Sequence, residues 1–185
     1  MKNVVVIGGS GFIGSHTADE LSKLGYNVTI FDRTPSPWLR ADQNMIEGDI
    51  LDVDSLDLGL RNADIVYHFA GVSDLNEASD RPLDAINLNI MGTALVLDAV
   101  SKLKVERFVY ASTMYVYSSY GSFYRATKQS AETLIEAYYE KVGLEYTLLR
   151  YGSLYGPRAQ DWNGLRGYVR QVVKEGRLKY DGTGR

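Results

Sequence analysis

The chain has 185 residues, of which 45% are hydrophobic and 23% charged. That composition fits one folded domain, or one domain and a fragment, and excludes disordered and fibrous classes. Its 20 Lys and Arg against 23 Asp and Glu leave a net charge of −3 with no basic run, which speaks against nucleic acid and anionic membranes as partners.

With no cysteine there is no disulfide framework, no thiolate nucleophile and no cysteine zinc site. The two histidines, His16 and His68, are too few for a multi-histidine metal centre, so no metal is expected. No continuous apolar run approaches the roughly 20 residues of a membrane span, and the start does not read as a signal peptide. The expectation is a cytoplasmic protein that does not engage a membrane.

Val4-Val5-Val6-Ile7 is a continuous β-branched run, the pattern of a central parallel strand covered on both faces. A glycine-rich turn and a helix over 12–24 follow, then a second strand over 27–32. The stretch 32–42, with Pro35 and Pro37, reads as loop. A short strand at 45–47, a short helix at 52–61 and a strand at 64–69 come next. Pro82 opens a long helix reaching about Leu103, since proline suits the first helical turn. A strand over 107–112, a helix over 124–142, a strand over 145–150 and a helix over 164–174 complete the pattern, and 178–180 reads as the start of a further strand.

Strands alternating with helices predict an α/β fold, a Rossmann-like doubly wound parallel sheet. The predicted division is 1–150 as one domain and 151–185 as the beginning of a smaller lobe. Two helices carry apolar residues on more than one face: Ile86, Ile90, Met91, Leu95 and Leu97 in one, Leu134, Ile135, Tyr138 and Tyr139 in the other. Either these are wide core faces or they meet another layer or subunit.

The turn Gly8-Gly9-Ser10-Gly11-Phe12-Ile13-Gly14 joins the first strand to the first helix. Glycine at 8 permits a tight turn, glycine at 11 lets backbone approach a pyrophosphate, and glycine at 14 lets helix and strand close together. The helix N-terminus then offers unpaired N–H groups to phosphates. Asp32, eighteen residues past Gly14, ends the second strand, where a carboxylate can accept ribose hydroxyls and repel a 2′-phosphate. This places NAD ahead of NADP, although Arg33 directly afterwards softens the preference. Asp49 and Ile50 either flank the adenine or form an exposed loop.

Tyr124 and Lys128, four apart at a predicted helix start, share one helix face. An ammonium near a phenol favours the phenolate, which makes Tyr124 a candidate general base. Thr113, at the end of the preceding strand, is a candidate hydroxyl partner for the same substrate oxygen. Ser112 is a second hydroxyl candidate, or a strand-end residue bonding to backbone. His68 and the tyrosines 110, 115, 117 and 120 read chiefly as structural.

Together these motifs are similar to those of the extended short-chain dehydrogenase/reductase family, the NAD-dependent epimerase/dehydratase group acting on nucleotide sugars. Added to the glycine turn and Asp32, the matching segments are His68-Phe69-Ala70-Gly71, Asn89-Ile90-Met91-Gly92-Thr93, Ser112-Thr113-Met114-Tyr115-Val116-Tyr117, Tyr124-x-x-x-Lys128 and the run from Leu149 to Arg158. The resemblance implies NAD bound by Gly8, Gly11, Phe12, Ile13, Gly14, Asp32, Phe69, Ala70, Gly71 and Asn89. It also implies Tyr124 as base, Lys128 as ribose ligand and modulator of the base, Thr113 as its partner, and Tyr151 beside the nicotinamide. The implied reaction oxidises a sugar hydroxyl by hydride transfer to NAD, and the implied assembly is a homodimer through the two overly apolar helices.

Three departures stand out. Met114 and Tyr115 occupy the positions after Thr113 where the dehydratase branch, and usually the decarboxylating branch, carries acids, so an epimerase or simple oxidoreductase is favoured. Only six residues, 118–123, separate Tyr117 from Tyr124, where a longer loop is common. A run like 180–185 leads, in the family, into the rest of the substrate lobe. Two other readings stay open: a dinucleotide-binding regulatory or scaffold protein without turnover, and an NADP-dependent reductase of a non-sugar carbonyl.

Overall fold

A computed structural model describes residues 1–180. They fall into two compact units, Met1–Tyr151 and a smaller one starting at Gly152.

The first unit is built around six parallel strands: β1 (Asn3–Ile7), β2 (Asn27–Asp32), β3 (Gln43–Glu47), β4 (Ile65–His68), β5 (Arg107–Thr113) and β6 (Tyr146–Tyr151). Their order across the sheet is β3-β2-β1-β4-β5-β6, the doubly wound arrangement that the alternating pattern predicts. The order reverses between β1 and β4, which pair from Val4 with Ile65 to Ile7 with His68. In such sheets ligands bind beyond the carboxyl ends of the strands at this switch point.

The β-branched run of β1 divides by the two-residue period of a strand. Val4 and Val6 face α1 (Phe12–Lys23), packing with Ala18 and Leu21 and with Val28 and Ile30 of β2. Val5 and Ile7 face the opposite layer, with Phe31, Val96, Leu97, Val100 and Ile135. Helices α2 (Val53–Gly59), α5 (Thr93–Lys102) and α6 (Ser122–Val142) supply that second layer. Each wholly buried side chain, Leu97 or Ile135 for example, contributes about 1.5–3 kcal/mol through burial.

Several elements differ from expectation. The predicted single helix from Pro82 is α4 (Pro82–Ile86), a π-helical turn (Asn87–Gly92) and α5. The widened turn turns Asn89 into the core, where its amide is satisfied by neighbouring elements. A short helix, α3 (Leu75–Asp80), was hidden in a polar stretch and is capped by the Asp74 carboxylate on the Glu77 N–H at 2.8 Å. Helix α6 begins at Ser122, two residues early, and β3 begins at Gln43.

The helical run Pro82–Lys102 is long and apolar enough to cross a membrane by those criteria. Charged Asp84 and Asp98 interrupt the apolar run without lowering its mean hydropathy below that of a span. Its Ala85, Asn89, Thr93, Val96, Leu97 and Val100 are nevertheless buried within the unit.

The second unit contains α7 (Gly164–Glu175), whose Asn163 cap accepts the Arg166 N–H at 3.0 Å. Residues 178–180 do not form the expected strand; the Lys179 N–H is bonded to the Gln171 side chain at 2.9 Å, which folds the chain back along α7. The remainder of the run 180–185 lies outside the described residues.

Candidate cofactor and catalytic site

The glycine turn follows β1 at the switch point. Gly8 has φ +77°, and a Cβ there would lie 2.6 Å from the Ala70 amide nitrogen, so the turn after β1 is pressed against the segment after β4. A Cβ on Gly14 would lie 2.2 Å from the Gly8 carbonyl oxygen, so α1 closes directly onto the turn. At Gly11 the same atom would meet only the Gly8 oxygen, at 3.3 Å. Gly11 is the exposed and least crowded glycine of the turn, and α1 starts there with no side-chain cap. Uncapped first-turn N–H groups beside an open backbone form a cradle that fits a dinucleotide pyrophosphate. Phe12 and Ile13 lie half-buried on that first turn.

Asp32 stands next to this cradle. Its carboxylate accepts the Ser10 N–H at 3.0 Å and the Thr34 N–H at 3.2 Å, which orients it across the turn. Arg33 points to Asp49 at 4.0 Å and is largely exposed. Asp49 also accepts the Leu51 N–H at 2.9 Å, while Ile50 is buried in the core against Gly92.

Phe69, Ala70 and Gly71 leave β4 along the same edge. The Phe69 N–H bonds the Ile7 carbonyl at 2.8 Å, and its ring stacks on Tyr67 with centroids 6.2 Å apart. Gly71, at φ +144°, makes room for Asn89. Asn89 accepts the Val72 N–H at 2.8 Å and donates to the Val72 carbonyl and to Thr127 Oγ1, each at 3.0 Å. Its amide protons are therefore both used within the protein, and it ties the loop after β4 to α6.

Beneath the loop, His68 is wholly buried with Nε2 against Thr93 Oγ1 at 3.2 Å. Burial, assisted by the Lys128 charge, pushes its pKa down to about 3, so the ring is neutral and structural, as the sequence suggested.

The predicted catalytic side chains meet at the end of β5. Tyr124 and Lys128 are buried on the first turns of α6, and the buried Thr113 hydroxyl is close enough to lower the Tyr124 phenol's pKa. The Thr113 oxygen also accepts the Tyr115 N–H at 3.2 Å, which fixes its rotamer. Tyr115 packs edge-on to Tyr124 with centroids 6.3 Å apart.

Burial raises the Tyr124 pKa above the usual tyrosine value, and the Thr113 hydroxyl only partly offsets it. The lowering expected from Lys128 is not found in the cofactor-free protein. Lys128 instead donates to the Ala111 carbonyl at 2.8 Å and lies 4.7 Å over the Tyr110 ring. Its own pKa is brought down to about 8 by burial, against the pull of Glu132.

Ser112 is buried and gives its hydroxyl to Glu132, so it faces α6 and not the edge where Thr113 stands. Tyr151, at the end of β6, is half-buried, and burial raises its phenol. Sequence reading missed the Glu132–Arg150 pair, joined through two bonds at 3.0 and 2.8 Å. The signal was the four-residue step from Lys128 to Glu132. Among the described residues no cluster of acids and histidines is suited to a metal.

The short loop before α6 is stitched down. Arg125 donates to the Ser118 carbonyl at 2.8 Å and Gln129 to the Val116 carbonyl at 2.9 Å. Gly121 and Ser122 both take left-handed conformations to enter the helix.

The chain is similar to known proteins of one family. The sequence profile of the NAD dependent epimerase/dehydratase family matches residues 4–185. A UDP-N-acetyl-alpha-D-glucosaminuronate decarboxylase from Bacillus cytotoxicus is 33% identical over 184 residues, covering 86% of this chain and 57% of the relative. A putative UDP-glucose 4-epimerase from Methanocaldococcus jannaschii is 29% identical, covering 90% of this chain and 60% of the relative. The chain therefore spans somewhat over half the length of these relatives. The structure of a UDP-glucuronic acid 4-epimerase from Bacillus cereus, in complex with UDP-glucuronic acid and NAD, superposes with a TM-score of 0.87 at 28% identity, over 100% of this chain and 67% of that one. With the doubly wound sheet, the open glycine cradle and the Thr113–Tyr124–Lys128 cluster, these matches place the chain in the NAD-dependent epimerase/dehydratase family.

Proposed function

We propose that this chain is the cofactor-binding and catalytic part of an enzyme that oxidises a hydroxyl of a nucleotide-linked sugar, with epimerisation as the favoured outcome. The observation that carries the reading is the convergence of Thr113 at the end of β5 with Tyr124 and Lys128, buried one turn apart on the same face of α6. NAD, when bound, supplies the hydride acceptor. In this reading Thr113 and Tyr124 grip the sugar hydroxyl and Tyr124 takes its proton. Lys128 holds the nicotinamide ribose and supplies positive charge beside the phenol. Gly8, Gly11, Phe12, Ile13 and Gly14 receive the pyrophosphate, and Asp32 receives the adenosine ribose. Phe69, Ala70, Gly71 and Tyr151 line the cofactor, with Asn89 setting the loop behind them.

Met114 and Tyr115 support epimerisation over dehydration, because neither side chain can protonate a leaving hydroxyl as a carboxylic acid does. The same absence weighs against the decarboxylating branch, although a decarboxylase is among its relatives. The segment from 151 onward is read as the start of the substrate lobe. The exposed Leu83, Met91 and Tyr139 on the outer helices support a homodimer, and the reading places it in the cytoplasm without nucleic-acid or membrane partners.

The test is proton NMR of a panel of UDP-, GDP- and dTDP-sugars incubated with the protein and NAD, with Tyr124→Phe in parallel. New epimer signals that vanish with the variant are expected. A protein that binds NAD and converts none of the panel would overturn the reading.

A further inference from the structure

Glu132 takes no part in the chemistry just described, yet among the described residues it is the only buried acid. It lies four residues beyond Lys128 on α6, so both side chains leave the same helix face. Its two oxygens receive the Arg150 Nε and guanidinium NH2 at 3.0 and 2.8 Å, a paired fork that fixes the carboxylate plane. Ser112 donates to the same carboxylate from β5. Arg150 also reaches the Tyr117 hydroxyl and lies 4.9 Å over that ring, tying the turn after Thr113 to β6.

We infer that Glu132 is a positioning residue for the base: clamped by Arg150 and Ser112 one turn past Lys128, its carboxylate keeps the buried Lys128 side chain an ammonium. The inference rests on the reading of Tyr124 as base and Lys128 as its modulator. The groups around Lys128 define the problem. Tyr124 and Glu132 flank it on α6, the Tyr110 ring lies under it from β5, neutral His68 approaches from β4, and Arg150 stands behind Glu132 on β6. Glu132 is the one anionic side chain among them. Burial favours neutral Lys128, and Glu132 opposes that. For Glu132 itself burial opposes ionisation, but Arg150 and Ser112 outweigh it and hold the carboxyl below its usual range. Arg150 thus has two opposed effects: it keeps Glu132 ionised, and it spends part of that negative charge.

The test follows Lys128 directly, by NMR of the Cε carbon in isotope-labelled lysine, assigned with Lys128→Met. Glu132→Gln keeps both hydrogen-bonding oxygen and volume but removes the charge; the Lys128 midpoint should fall by about one pH unit or more. Arg150→Met leaves the carboxylate uncompensated, and the midpoint should rise. A clamp with no electrostatic role moves neither midpoint, or moves both the same way, and either result overturns the inference. If Glu132→Gln does not fold, Arg150→Met decides alone by whether the midpoint rises. If neither folds, the wild-type signal decides: a step as Glu132 titrates in acid is expected, and its absence overturns the inference. Turnover is scored separately. Opposite shifts in a protein that converts no nucleotide sugar would sink the proposed function and leave the Lys128 assignment standing; unmoved midpoints in an active protein would sink this inference alone.

Discussion

Gly8 and Ala70 press backbone against backbone, so close that a single added methyl carbon on Gly8 would lie 2.6 Å from the Ala70 nitrogen. This contact brings the turn after β1 and the loop after β4 to one point at the switch of the sheet. The neighbouring glycines have different duties, and substitution should separate them. Gly14→Ala drives a Cβ into the Gly8 carbonyl and should destabilise the fold by about 1–3 kcal/mol in urea unfolding. Gly11→Ala, with ordinary backbone geometry and a single tight approach of 3.3 Å to the Gly8 oxygen, should lower the urea midpoint far less than Gly14→Ala. It should weaken NAD binding at least tenfold by calorimetry, about 1.4 kcal/mol, if the pyrophosphate lies against that backbone.

Asn89 holds the same loop from the other side. Its three hydrogen bonds to Val72 and Thr127 are buried, so Asn89→Leu would strand the Val72 amide and carbonyl. A loss of about 2–4 kcal/mol is expected from the unsatisfied groups, read from denaturant midpoints. NAD affinity should fall with it, because Gly71 and Ala70 lose their support.

His68 carries an acid sensitivity. Its folded pKa is about 3 against an ordinary value of 6.5, so between those limits the unfolded chain binds a proton that the native protein does not. Stability is then greatest above 6.5 and falls on acidification by about 1.4 kcal/mol per pH unit from this group. His68→Asn should flatten that slope between pH 6 and pH 4 in a series of urea titrations.

Thr113→Val should raise the Tyr124 pKa further, since the Thr113 hydroxyl is what offsets burial. Ultraviolet titration of the phenol, with Tyr124→Phe subtracted, reads this shift. The same variant should lose most turnover while leaving NAD binding intact.

Ser122 enters α6 with φ 43°, a conformation that costs an L-residue about 1–2 kcal/mol. Ser122→Gly should raise the thermal midpoint, less the added freedom of glycine in the unfolded chain.

Most strands were legible as short apolar runs, with β1, β2 and β6 stopping at a glycine or aspartate, and β1 most of all because both its faces are covered. The glycine turn, Asp32 and the Tyr124–Lys128 step were legible because local spacing alone places them at the sheet edge. What was not legible depends on distant partners. Ser112 read as a second hydroxyl candidate or a strand-end residue bonding to backbone, yet strand alternation sends its hydroxyl to the Glu132 side chain. The π-helical turn around Asn89 leaves the apolar pattern of that helix intact, so nothing in the spacing announces it. The Lys128 effect on Tyr124 failed to appear because Lys128 is engaged by the Ala111 carbonyl and the Tyr110 ring, and burial dominates the phenol.

The most direct test of the central claim is to give the NAD-loaded protein a UDP-hexose carrying deuterium at C4, and to read the product by proton NMR and mass. The account predicts an epimer that keeps its deuterium at the inverted carbon, because hydride leaves and returns on one cofactor, and no product with Tyr124→Phe. An epimer that has lost its deuterium to water, or one formed equally well by Tyr124→Phe, would contradict it.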